Sequence, residues 1–377
     1  MSAELAVLNK IKNNLGMYCV DNKLFDDTIM LDISGIFPAT DLSTRKIVLN
    51  LPAPKEFDAS TRIKIFSSDI VAGDNYGFAT ANNGVTLITS SMTNNAAGTD
   101  VGAIYLSDLM GNNAIKVTPS ITNTQNFGLS VGINSNKCVV GYFNNGYIFT
   151  YNLDGTNETL IQAPPGTSYF GWKVEMNETK IAVCSNTGQA YLYDLDGSNG
   201  IALNSGKAVS MTQDKVIIGD QNNGTAYIYN LDGTLLTTVT PSISVPSFGV
   251  DVDISDTHII VGAVNTQTGN PGTAFIYNID GTNEVILNSP LNNYDLFGNA
   301  VAIYKNQVCV SAAAEDNIHL FNIDGSYIKA INTYEDNNSA YITGQALTMD
   351  DKYIFVGDSN DEDFGPRAGA LYRYSKI

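Results

Sequence analysis

From Tyr76 onward, apolar and polar positions recur along the chain in one fixed order. Each unit opens on an aromatic-Gly step: Tyr76-Gly77, Phe127-Gly128, Phe170-Gly171, Phe248-Gly249 and Phe297-Gly298. Two further openings, at Gly206 and Gly344, keep the glycine and lose the ring. About ten residues later comes an apolar triplet, from Thr86-Leu87-Ile88 in the first unit to Ile354-Phe355-Val356 in the last. An unbroken apolar run of strand length predicts a strand covered on both faces. The next residue is small, as at Gly141, Cys184, Gly219, Gly262 and Gly357, which predicts that a neighbouring backbone passes close by. An alternating aromatic strand such as Ala274–Tyr277 follows, then a turn ending in Asp-Gly: Asp154-Gly155, Asp196-Gly197, Asp232-Gly233, Asp280-Gly281 and Asp324-Gly325. Asp-Gly between two strand patterns predicts a tight hairpin in which both central residues take positive φ.

Seven openings spaced 35 to 51 residues apart predict seven four-stranded units. That period makes the fold class all-β, a seven-bladed β-propeller. The last unit ends after its third strand, Ala370–Tyr374. Elsewhere the fourth strand reads like Glu158–Pro164 or Glu284–Pro290, and the matching segment upstream is Arg45–Pro52. We therefore expect the ring to be closed by that N-terminal strand, with Arg45 beside Ser375, because closure leaves no ragged blade edge. The expected domains are an arm over 1–42 and the propeller over 43–377. Within the arm, Ser2 caps an expected helix carrying Leu5, Leu8, Ile11 and Leu15 on or near one face, with Gly16 as its stop. Those three leucines and one isoleucine form a candidate docking face.

The Phe-Gly openings and the step Val261-Gly262-Ala263 resemble FG-GAP repeats, the blades of integrin α-chain propellers and of many microbial and phage proteins. The resemblance covers about Tyr76 to the C-terminus and implies the propeller fold. Integrin-type blades often bind calcium between their first and second strands. Here those connections are short, as in Asn134–Lys137 and Ser255–His258, too short to offer the five or more oxygens that Ca²⁺ takes. Neither metal nor cofactor is expected.

Charge narrows the partners. Acidic residues outnumber basic ones 38 to 20, a formal −18, and such a surface repels phosphate backbones. Nucleic acid is not an expected partner, and no apolar run is long enough for membrane insertion. Met1–Lys12 lacks a basic stretch leading into a long apolar core, so no secretion signal is expected. Candidate chemistry is sparse. Cys138, Cys184 and Cys309 fall in or beside apolar strands of different blades and read as small buried hydrophobes, like Cys19. The two histidines, His258 and His319, have no convincing nucleophile nearby in sequence. Trp172 follows an opening, where packing accounts for it and a sugar platform is the alternative. The turn aspartates stand one per blade, too far apart to cooperate.

These features predict a non-enzymatic protein: a structural or attachment component of a phage virion, made in the host cytoplasm and docked to other virion proteins through its arm. Its outward partner would be a host surface receptor or glycan. A carbohydrate-binding or adhesive cell-surface propeller is the alternative, and a glycan-active enzyme a third. The expected contact surface lies where blades one and seven adjoin. The long connections Ser91–Gly102, Ser359–Gly369 and Ala53–Asn75 meet there, carrying Asp361, Glu362, Asp363 and Arg367.

Overall fold

The computed structural model describes residues 29–31, 47–49, 62–94, 101–121, 126–142, 146–267, 271–290, 295–315, 317–333 and 346–375. The chain forms two compact units, Met1–Asp58 and Ala59–Ile377. In the first, Ile29–Leu31 pairs antiparallel with Ile47–Leu49. Leu5, Leu8, Ile11 and Leu15 of the expected arm helix lie outside the described residues, as do Cys19 and Gly344.

The second unit is an all-β propeller of seven blades, each an antiparallel four-stranded sheet. Blade five shows the plan: Phe248–Ile254 on the inside, then His258–Ala263, Thr273–Asn278 and, outermost, Val285–Asn288. The apolar triplets form the second strands, and their central residues are fully buried. The opening aromatic folds over its own third strand. Phe248 meets Phe275 edge-on at 5.3 Å, Phe127 meets Phe149 at 5.3 Å, and Tyr76 meets Tyr105 at 5.2 Å. Such pairs add about 1 kcal/mol each beyond the area they bury.

Two glycine contacts set how closely blades approach. At the small position after the triplet, a Cβ on Gly141, Gly219, Gly262 or Gly357 would fall under 3.0 Å from the carbonyl oxygen of Gly171, Gly249, Gly298 or Gly77 in the next blade. The Gly357–Gly77 contact joins blade seven to blade one in the same way as the internal pairs. The second contact lies on the outside. A Cβ on the turn glycine of each of blades one to six would sit 2.5–2.9 Å from an apolar side chain in the preceding blade's fourth strand: Gly111 on Ile65, Gly155 on Val117, Gly197 on Ile161, Gly233 on Ile201, Gly281 on Val239 and Gly325 on Val285.

This outer contact explains why the fourth strand of the last blade is not Arg45–Pro52, as expected. Part of that segment, Ile47–Leu49, pairs with Ile29–Leu31 instead. The strand beside Ala370–Ser375 is Ile63–Ile65, with Ile63 opposite Arg373, Lys64 opposite Tyr372 and Ile65 opposite Leu371. Ile65 supplies the buried apolar side chain under Gly111, and Arg62 stacks its guanidinium over Tyr372 at 4.6 Å. Arg45–Pro52 matches the local fourth-strand pattern, whereas Ile63–Ile65 makes these two long-range fits.

The Asp-Gly turns also differ from expectation. Only the glycine is left-handed, at φ 78° for Gly155 and 84° for Gly233, while the aspartate stays at negative φ. Asn152 N–H donates to the Thr156 carbonyl at 2.8 Å and Gly155 N–H to the Asn152 carbonyl at 2.9 Å, a longer hairpin loop than a two-residue one. The aspartate instead caps the loop: Asp154 Oδ1 accepts from Thr156 N–H at 3.0 Å and from its hydroxyl at 2.5 Å.

Gly262→Ala should cost about 3 kcal/mol, since the opposing atom is a backbone carbonyl that cannot move aside. Gly166 at φ 85° has open space around it, so Gly166→Ala should cost about 1 kcal/mol for its left-handed backbone alone. Urea unfolding of both variants measures this, and equal losses would contradict the close-contact account.

Candidate functional site

The seam between blades seven and one is built by the loop after Tyr353–Asp358 and by the segment that follows Ile63–Ile65. Gly73, Asn75 and Tyr76 donate their N–H groups to the carbonyls of Pro366, Arg367 and Ala368 at 2.8, 3.0 and 2.9 Å. Arg367 holds left-handed φ 57° to make this possible. The four candidate residues therefore divide. Asp361 is only 6% exposed, and its carboxylate accepts both oxygens' worth of hydrogen bonds from Lys64 Nζ, at 2.7 and 2.6 Å, and one from the Tyr372 hydroxyl. Burial, then the Asp361 hydrogen bond, pushes the Tyr372 phenol upward. Glu362, Asp363 and Arg367 remain on the surface, Asp363 within 2.5 Å of Lys64. Above this network Phe364 tilts against Phe66, centroids 4.6 Å apart, with the rings 43% and 44% exposed. Gly365 packs on Ala72, next to the 55% exposed Val71. The sequence reading passed over both phenylalanines. The available signal was an aromatic residue set inside an acidic loop.

The inner strands enclose an axial channel. Its loop-side half is a cavity of ≈ 170 Å³ lined by Trp172, Lys173, Lys207, Asp251 and Asn299. Trp172 thus faces the channel. The tight-turn half opens to ≈ 540 Å³. Lys173 pairs with Asp251 at 3.4 Å. Asp251 Oδ2 and Asp253 Oδ2 accept the N–H groups of Val301 and Ile303 from blade six, at 3.0 and 2.8 Å, while Ser130 accepts that of Val174 at 2.9 Å. Channel side chains therefore tie one inner strand to the next. A second tie runs around the tight turns: Asn83 donates to the Asn134 carbonyl, Asn134 to that of Asn177, and Asn177 to that of Thr212, at 2.8, 2.8 and 2.7 Å. A third is the Pro-Ser pair after two fourth strands, where Ser120 and Ser242 bond to Glu158 and Glu284, each also held by Tyr151 or Tyr277 at 2.7 Å.

The remaining candidates lie in the core or in the tight turns. His319 sits in the ring-packing position of blade six, 5.7 Å from Phe297, and burial lowers its pKa. His258 Nδ1 lies 2.8 Å from the neighbouring Thr257 hydroxyl. Cys138, Cys184 and Cys309 are buried, and burial pushes the Cys138 thiol up to about 12. Asp154, Asp196, Asp232, Asp280 and Asp324 are held below the usual carboxylate range, first by the Thr or Ser hydroxyl two residues on. Among the described residues, no group of three or more His, Cys, Asp or Glu side chains is placed to hold a metal ion, and no helix is long and apolar enough to cross a membrane.

No family model matches the chain, and no curated protein matches it. Solved structures do. The chain is similar to U3-55K at TM-score 0.62 and 8% identity, over 84% of this chain and 98% of that one. It is similar to the β-propeller domain of Myceliophteria thermophila Cps50 (Swd1) at TM-score 0.57 and 12% identity, over 85% and 99%. A third is YCF48 bound to D1 peptide, at TM-score 0.57 and 12% identity, over 85% and 97%. At these identities the likeness is one of fold.

Two channel carboxyls give the stability a pH dependence. Glu175 and Asp253 line the channel partly buried, and burial pushes them up to about 8 and about 6, from 4.5 and 3.8. A raised acid favours the folded state when protonated. Its contribution is complete below the unfolded pKa and is lost as pH rises through the folded one. The melting temperature should therefore fall between pH 5.5 and pH 8.5, with a slope of up to about 1.4 kcal/mol per pH unit for a single proton. Glu175→Gln should flatten that fall; a variant that keeps the wild-type slope would refute the assignment.

Proposed function

We propose that this chain is a non-enzymatic protein-interaction scaffold, and specifically a structural or attachment component of a phage virion. The observation that carries the reading is the exposed Phe66–Phe364 pair on the seam. Large aromatic side chains left half in water, on a base fixed by the Lys64–Asp361–Tyr372 network, suit a protein contact, where such residues supply most of the binding energy. Asp363, Glu362 and Arg367 give that patch a charged rim, as contact surfaces commonly have. The similar propeller described as bound to a peptide supports a peptide-binding use of the fold. The blade pattern resembling FG-GAP repeats, which also occur in phage proteins, and the arm over 1–42 direct the reading toward a particle, with other virion proteins as partners and a host receptor or glycan as the outward target.

Quantitative mass spectrometry of purified particles tests this. The wild-type chain should be present at a fixed copy number, and the double variant Phe66→Ser, Phe364→Ser should be depleted at least about tenfold, as expected for a lost contact centre. Its melting temperature should change little, because both rings are already half-exposed. Absence of the wild-type chain from particles would sink the virion reading. Full incorporation of the double variant would remove the seam as the contact.

A further inference from the structure

We propose that the waist of the axial channel is a binding site for a primary alkylammonium group. The sixth residue of each inner strand, counted from the aromatic-Gly opening, forms a ring: Ala81, Gly132, Glu175, Ser210, Asp253, Ala302 and Thr348. Glu175, Ser210, Asp253 and Thr348 line both halves of the channel, which places this ring where the two cavities meet. Two rungs nearer the loop side, at the fourth residue, Lys173 and Asp251 neutralise each other at 3.4 Å. The sixth-residue ring holds two carboxyls, two hydroxyls and no cation.

The ring is shaped around those carboxyls. A Cβ on Gly132 would lie 2.9 Å from Glu175 Oε1, so the absence of a side chain there makes room for the glutamate. Glu175 Oε1 accepts its own strand's Met176 N–H at 3.0 Å, and the residue lines both halves of the channel. Asp253 is more fully engaged. Its Oδ1 accepts from the Ser210 hydroxyl at 2.6 Å and from Ile254 N–H at 2.9 Å, and its Oδ2 from Ile303 N–H at 2.8 Å. Burial raises both carboxyls and so favours their protonated forms, and Lys173 offsets this only partly for Glu175. A bound cation would release that proton.

The surroundings select which cation. A metal ion needs several free oxygens, and Asp253 has spent most of its own on backbone and hydroxyl donors. Below the ring, the ≈ 540 Å³ cavity has a mixed lining: Met176, Met211 and Met349 offer flexible apolar surface to an alkyl chain, and Asn82, Asn134 and Gln213 add polar groups toward the tight turns. An ammonium head with three donors matches the Glu175 carboxylate and the hydroxyls of Ser210 and Thr348, with its chain lying against the methionines. The group could come from a free diamine or from the lysine of a partner protein, and the chemistry at the ring is the same.

Isothermal titration calorimetry with 1,5-diaminopentane, and separately with Nα-acetyl-lysine methylamide, tests the proposal; 1,5-pentanediol serves as the uncharged control. At pH 8.5 and low salt, at least one amine should bind at 1:1, and the diol should not. Affinity should rise between pH 6.5 and pH 8.5 as the glutamate gives up its proton. Glu175→Gln, which keeps the shape of the side chain, should weaken binding at least about tenfold, as for loss of one partner of an enclosed charge pair. Binding of the lysine derivative alone would assign the site to a protein partner, and binding of the diamine alone to a free ligand. Three results would overturn the proposal: saturation by neither amine, equal affinity in Glu175→Gln, or binding of calcium lost in Glu175→Gln with no response to either amine.

Discussion

The closeness of neighbouring blades is the constraint on which the rest of this structure depends. Inside, a small residue at the end of the second strand lets the next blade's opening carbonyl pass. Outside, a turn glycine settles on an apolar side chain of the blade before it. Protein interiors pack at crystal-like density, so an added methyl group at either point must displace backbone or a buried side chain. With the blades held this close, side chains can bridge them: the asparagine chain around the tight turns, the Pro-Ser clasps on Glu158 and Glu284, and the channel carboxylates that reach into blade six.

That spacing also places the candidate sites. The inner strands come together around the channel, so Glu175 and Asp253, from blades three and five, line it at equivalent positions. At the seam, both glycine contacts recur, as Gly357 against the Gly77 carbonyl and Gly111 on Ile65. Lys64, on the same short strand as Ile65, then ties Asp361 and Asp363 beneath the exposed Phe66–Phe364 pair. A single three-residue strand thus joins the packing of the ring to the surface proposed for partners.

Most of the fold was legible in the sequence because each blade repeats the same local demands. The openings, triplets and Asp-Gly turns mark strands within a few residues of each other, and repetition confirms each one. The closing strand was not legible. Arg45–Pro52 and Arg62–Phe66 both alternate in a strand-like way, and only contacts more than 40 residues away, Ile65 with Gly111 and Lys64 with Asp361, choose between them. The same limit applied to the site. Asp361 looks like a solvated loop acid beside Glu362 and Asp363, until Lys64 and Tyr372 enclose it. Nothing local marks Glu175; its setting comes from the other inner strands that line the channel with it. The turn aspartates were read as turn formers, which they are; the added role of the glycines, packing against the preceding blade, needed a third dimension.

Native-state hydrogen exchange tests most directly whether the ring is sealed at this seam as it is elsewhere. The amides of Ile63, Ile65 and Tyr76 should exchange only through global unfolding, with the same free energy and denaturant dependence as Ile217 and Ile260 in blades four and five. Exchange of the seam amides through a separate local opening, several kcal/mol below the global value, would show that the ring is closed only loosely and would contradict the account.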